Sequence, residues 1–181
     1  MDKVIFILFG IFYIIYGLIV ISGKKFMVRS KYEAIIQNFF FLAIIISRFI
    51  EIDGGIFIIS IFILIFALIF LGQRGVYTMY NVNGETFSSI LMSILEEKNI
   101  SYVVNKDELV LKGYNNEVIF YRKPLNSLQI NLKEIRHLDF YKELLKELSN
   151  QIKEVNLKLF PTAGIVDLLL GIGFLALVQF M

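Results

Sequence analysis

Cysteine is absent from the 181 residues, and histidine occurs once, at His137. The first absence excludes disulfides, thiolate metal sites and cysteine nucleophiles. The second leaves no set of imidazoles for a zinc centre and no H-E-x-x-H helix. The chain also lacks a G-x-S-x-G elbow, a Walker lysine loop and a G-x-G-x-x-G turn after a strand. Gly171-Ile172-Gly173 lies inside an apolar run without a third glycine and reads as a helix-packing feature. His137 stands beside Arg136 at the start of a polar helix and reads as a surface residue. No pattern pairs carboxylates for acid–base work. The sequence therefore points away from an enzyme, and toward a chain without metal or cofactor.

Charge is also scarce. Only 19% of residues are charged against 57% hydrophobic, with a mean hydropathy of +0.70. Soluble domains have about 25% charged and roughly 45–50% apolar residues. The charge is concentrated between Gln73 and Phe160, which holds twelve Lys/Arg and eleven Asp/Glu, hence 12 − 11 = +1. Such a balance offers nothing to a nucleic acid backbone.

What is abundant is long apolar sequence. Val4–Ile21 has no charge, and as a helix it reaches about 27 Å, near the ~30 Å of a hydrocarbon core. A signal peptide is the competing reading, but Tyr13 and Tyr16 interrupt the run and no small-x-small cleavage site follows. Gly10 and Gly17, seven apart, would let another helix approach closely. From Ala34 to Leu71 the apolar run is too long for one span, and Glu51-Ile52-Asp53-Gly54-Gly55 breaks it. Two acids and adjacent glycines disfavour both hydrocarbon and helix, so the expectation is a helical hairpin, 34–50 and 56–71. Arg48 can snorkel to the surface beside Glu51. A fourth span follows Pro161, whose ring disfavours helix at Phe160 and suits the first turn of a new one.

Lys24, Lys25, Arg29 and Lys31 crowd the connection over 23–32, which reads as a basic loop at the membrane surface. Positive-inside logic puts that loop and residues 73–160 in the cytoplasm, with the amino terminus, the acidic turn and the carboxyl terminus outside. The abundance of Ile, Lys, Asn and Phe suggests a bacterial plasma membrane. Residues 73–160 read as β-α-β-β-β-β-α: strands near 76–82, 101–105, 108–112, 117–122 and 128–132, with Pro124 between the last two. Helices are expected at 87–98 and 136–156. The fold class is thus an α-helical membrane protein of four spans (4–21, 34–50, 56–71 and 161–181). A small cytoplasmic α+β domain is inserted between the third and fourth.

Two sets of residues stand out as candidates. Leu138, Tyr141, Leu145, Leu148, Ile152 and Val155 alternate in steps of three and four, a heptad stripe for a dimer seam or for the domain's own sheet. Asp167 is an ionisable group about 7–9 Å into the fourth span. At matching depth stand Tyr16 on the first helix and Gln37 and Asn38 on the second, so a polar cluster between helices is expected. The functional expectation is a non-enzymatic accessory or regulatory subunit, with the bilayer and a membrane-protein partner or further copies as its contacts. A small oligomeric ion or solute transporter using Asp167 is the alternative, and a ligand-sensing membrane protein the third.

Overall fold

A computed structural model describes residues 2–122, 127–156 and 159–180, with no side-chain description for Asp2. The chain divides into two compact units. A helical unit comprises residues 1–21, 30–74 and 164–181, and a sheet unit comprises 22–29 and 75–163, so the chain passes from one to the other four times. Pro124 lies outside the described residues.

The helical unit contains α1 (Asp2–Ile21), α2 (Ser30–Phe49), α3 (Gly55–Gly72) and α6 (Thr162–Leu177), the last running into a 3₁₀ turn at Val178–Phe180. All four are long and apolar enough to cross a membrane. The turn between α2 and α3 uses both of its glycines. Gly54 has φ +78°, a left-handed conformation that costs glycine least, and a Cβ on Gly55 would overlap the Phe49 carbonyl. Phe41 then packs edge-on to Phe62 and Phe66 across the hairpin.

The helices α1 and α6 meet through glycine. A Cβ on Gly17 would stand 2.7 Å from the Gly164 carbonyl, and one on Gly171 would stand 2.7 Å from the Gly10 carbonyl. Two glycines seven residues apart on each helix thus face each other in antiparallel order. The bare backbone at both levels permits contact that any side chain would prevent. Gly173 has nothing within 4 Å, so only the first glycine of Gly171-Ile172-Gly173 serves the interface.

The sheet unit is built on six antiparallel strands in the order β1-β2-β6-β5-β4-β3. They are β1 (Phe26–Arg29), β2 (Val76–Tyr80), β3 (Tyr102–Asn105), β4 (Glu108–Leu111), β5 (Val118–Arg122) and β6 (Ser127–Asn131). Helix α4 (Gly84–Glu97) follows β2, and α5 (Tyr141–Glu154) follows a 3₁₀ turn at Glu134–His137. Asn83 caps α4 by accepting the Thr86 amide at 2.8 Å, which is why Asn83-Gly84 opens a helix and not a hairpin. The α4 stripe of Phe87, Leu91, Ile94 and Leu95 is buried with Leu109, Leu111, Ile119, Leu128 and Ile130 of the strands and Leu144, Leu148 and Ile152 of α5. Each such burial contributes about 1.5–3 kcal/mol. At the end of α4, Lys98 binds Glu143 at 3.0 Å and Glu147 at 3.1 Å on α5. The same cation complements the negative end of the α4 dipole.

The arrangement departs from the expected β-α-β-β-β-β-α domain in one main respect. Residues 26–29, read above as part of a surface loop, form the edge strand β1. The physical reason is local: Phe26-Met27-Val28 is β-forming and apolar between the basic residues. Phe26 stacks on its cross-strand partner Tyr80 at 5.1 Å, and Met27 packs beside Met79 against the core. Asn81, at φ +61°, holds the segment further by donating its side-chain amide to the Lys24 carbonyl at 2.9 Å. The expected helix at 136–156 is likewise divided, into the 3₁₀ turn and a helix that begins at Tyr141.

The glycine interface has a direct test. Gly171→Ala should lower the melting temperature of the detergent-solubilised chain, at a cost of about 1–3 kcal/mol from overpacking. Gly173→Ala should leave it unchanged. Circular dichroism at the helical band measures both; equal effects would refute the interface.

Candidate functional site

Polar side chains gather within the helical unit in one layer between α1, α2 and α6. The Tyr16 hydroxyl donates to Glu33 Oε1 at 2.8 Å. Gln37, one turn further along α2, hydrogen-bonds the side chain of Tyr13. Asp167 on α6 lies within electrostatic range of both Tyr13 and Glu33. The spacing explains the set. Residues 13 and 16 are nearly one turn apart on α1, as are 33 and 37 on α2, so each pair shares a face. The helices run antiparallel, and Phe9 against Phe40, with centroids 4.6 Å apart, continues the same register. Phe174 of α6 closes on Phe9 at 4.5 Å. Measured along their helices, Glu33, Tyr16 and Asp167 all lie about 5–8 Å from the near end.

Of the four residues anticipated for this cluster, Tyr16, Gln37 and Asp167 belong to the layer. Asn38, rotated about 100° from Gln37 around α2, forms no side-chain hydrogen bond among the described residues. Sequence reasoning missed Tyr13 and Glu33. The available signal was spacing: Glu33 stands four residues before Gln37, and Tyr13 three before Tyr16. Two carboxylates, two phenols and an amide can share protons or hold a cation, or can join three helices through hydrogen bonds that lipid cannot replace.

The heptad residues are placed on the domain's own core. Leu148 and Ile152 are buried, while Leu138, Tyr141 and Leu145 pack partly buried against them. Val155 is half-buried at the end of α5. Burial also includes Leu144, which the heptad omitted. His137, itself exposed, pairs at 3.1 Å with the largely buried Glu117 side chain. Of the four basic residues over 24–31, Lys24 is exposed, and Lys25 is half-buried. Lys31 lies over the Tyr32 and Phe70 rings at 5.0 and 5.8 Å. Arg29 ends β1, directly opposite Tyr77 on β2.

That last position opens a second polar site, in the sheet unit. The hydroxyls of Tyr77 and Tyr141 are 3.0 Å apart. Tyr77 is buried and Tyr141 half-buried. Arg29 and Arg136 both act electrostatically on Tyr141. The Arg136 stem runs over Gly75, where a Cβ would meet its Cδ at 2.7 Å; Gly75 also has φ +83°, so no other residue suits the position. Burial, and then the hydrogen bond with Tyr77, push the Tyr141 phenol above its ordinary value, and the two arginines oppose the shift.

No family model matches the chain, and no match was found among curated proteins or solved structures.

Two outcomes follow. Tyr16→Phe should destabilise the full chain by about 1 kcal/mol, the scale of hydrogen bonds between membrane helices. The loss should shrink in a Glu33→Ala background, where the acceptor is gone. A double-mutant cycle by detergent-solution unfolding measures it, and additive losses would contradict the pair. For Tyr141, an unfolded phenol ionises near pH 10 whereas the folded one keeps its proton. The resulting stability is fully present below about pH 10 and is lost as pH rises beyond it. Tyr141→Phe should therefore flatten the alkaline limb of a stability profile above about pH 10. Tyr102 and Tyr121, also raised, should leave a residual slope.

Proposed function

We propose that this protein is a four-span membrane subunit that presents its α+β domain at one face of the bilayer to a partner, without catalysis of its own. The observation that carries the reading is the interleaving of the two units. The connection 22–29 and the segment 75–163 build a single sheet, although the α2–α3 hairpin separates them in sequence. Two spans between two segments return the chain to the side it left, so β1 and β2 can pair only if both segments lie on one side. Positive-inside logic makes that side the cytoplasm, in a bacterial plasma membrane, with the Glu51–Gly55 turn outside. Helix α3 is apolar around its circumference, with Ile56, Phe57, Leu64 and Leu68 all exposed, and offers a face for lipid or for another protein's helix. The heptad stripe of α5 serves the domain's core, which leaves the outer helices and the domain surface as the contact faces.

One observation favours a second reading, a small oligomeric ion or solute transporter. Glu33 and Asp167 bring two carboxylates into one layer of apolar helices, and ionisable groups there often mark ion pathways. On that reading Glu33→Gln and Asp167→Asn each abolish flux in reconstituted vesicles while the chain stays folded. On the accessory reading no flux exists to abolish.

The absence of native cysteine makes the topology cleanly testable. Asp53→Cys in intact cells should react with a membrane-impermeant maleimide. Lys24→Cys and Lys112→Cys should react only after permeabilisation. Reaction of Lys24→Cys from outside reverses the orientation, and reaction of Lys24→Cys and Lys112→Cys from opposite sides contradicts the shared sheet. For the partner, a tagged full chain at natural expression, extracted in mild detergent, should co-purify with a stoichiometric membrane protein; a homo-oligomer alone would overturn the accessory reading.

A further inference from the structure

The Tyr77–Tyr141 pair carries one more hydrogen than it uses. Two hydroxyls 3.0 Å apart share a single hydrogen bond, so one donates and the other keeps its own proton to give. No described residue accepts that second proton. Tyr77 is 6% exposed while Tyr141 is half-buried and Arg29 and Arg136 are exposed, so Tyr141 and the arginines are the members a ligand can reach. The surroundings are cationic. Arg29 faces Tyr77 across the β1–β2 ladder, on the side of the sheet where Tyr77 reaches α5. Arg136 lies over Gly75, two residues before Tyr77. Neither arginine forms an ion pair with a carboxylate among the described residues. Tyr141 is the first residue of α5, and that helix begins without a side-chain cap. Helix amides at such an end favour a negative group.

A spare phenolic proton, two unpaired guanidinium groups and a helix amino terminus all call for one compact anion with several acceptor oxygens. A phosphate fits, because guanidinium forks match its oxygens and a hydroxyl donates to a third. The position in the chain indicates where that phosphate comes from. Arg29 immediately precedes Ser30, where α2 starts, and Tyr77 follows the end of α3 at Gly72 by five residues. Two of the four positions, Arg29 and Tyr77, are therefore close in sequence to the ends of apolar helices, which on the four-span reading is where headgroups lie.

We infer that Arg29, Arg136 and the Tyr77–Tyr141 hydroxyl pair form a binding site for a phosphate group, supplied by the headgroup of an anionic phospholipid. This rests on the reading that α2 and α3 span the bilayer. It differs from diffuse attraction of a basic loop to a charged surface, because it names one site with a defined donor set, and Lys24 and Lys25 are not in it.

The test uses the full chain in mild detergent. Native mass spectrometry would count adducts of phosphatidylglycerol and of phosphatidylcholine, while melting shifts would compare short-chain phosphatidylglycerol with inorganic phosphate. One phosphatidylglycerol should bind in preference to phosphatidylcholine. Arg29→Gln with Arg136→Gln should weaken it by about tenfold or more, as loss of charge-assisted hydrogen bonds implies. Tyr141→Phe, which removes a single hydroxyl and adds no charge, should weaken it less, and Lys24→Gln with Lys25→Gln should leave it unchanged. A melting shift with inorganic phosphate as large as that with the lipid would overturn the lipid source. Equal losses in the arginine and lysine variants would overturn the site in favour of diffuse charge, as would wild-type affinity in the arginine variant. If the arginine variant fails to fold, Tyr141→Phe decides alone, and unchanged affinity there refutes the site. Extraction of the wild-type chain by alkaline carbonate separately tests whether the helices span, so the two failures are distinguishable.

Discussion

The structure depends first on the pairing of β1 with β2. Four residues taken from a connection between two apolar helices complete an edge of the sheet. That ladder aligns Phe26 with Tyr80, Met27 with Met79 and Arg29 with Tyr77. The first pair stacks, the second joins the core and the third builds a polar site. Without β1, the β2 edge would present unpaired backbone groups, an arrangement open to association with other chains. The ladder also restricts the threading, since both segments must be available to each other on one side of any membrane the helices cross.

Were the helical unit set in a bilayer, apolar attraction would have little power to order its helices, because lipid competes on equal terms. Shape and hydrogen bonding remain. The glycines of α1 and α6 supply shape at two levels, and aromatic rings from Phe9, Phe40 and Phe174 fill the space where three helices converge. Tyr16 with Glu33 and Tyr13 with Gln37 supply hydrogen bonds. The same polar groups could serve binding or structure, because a site and a tie are built from the same atoms.

Much of this was legible from the sequence where one physical rule dominated. Length and hydropathy marked the four apolar helices, the Gly54-Gly55 pair marked the turn, and Gly10 with Gly17 marked a face for close approach. The 3.6-residue periodicity gave α4 its buried stripe. The sequence was less informative where two rules competed. Phe26-Met27-Val28 sits among four basic residues, and charge drew attention away from β propensity. Glu33 fell at the boundary between loop and span, so it belonged to neither reading. The heptad over 138–155 tracked the buried side of α5 but missed Leu144, because a helix lying on a sheet buries a broader stripe than a coiled-coil seam does. The Tyr77–Tyr141 bond and the approach of Arg136 join positions distant in sequence, and no local pattern announces them.

The order of strands and helices has a consequence for how the chain is made. β1 leaves the ribosome before α2 and α3, yet its partner β2 follows them. The sheet therefore cannot close until the α2–α3 hairpin between its two segments has been made. The α1 glycine face waits longer still, since Gly164 and Gly171 follow the whole sheet unit in sequence. During that interval β1 is an open strand and α1 carries a bare helix face. Helix α6, made only after the sheet unit, acts as the latch of the helical unit.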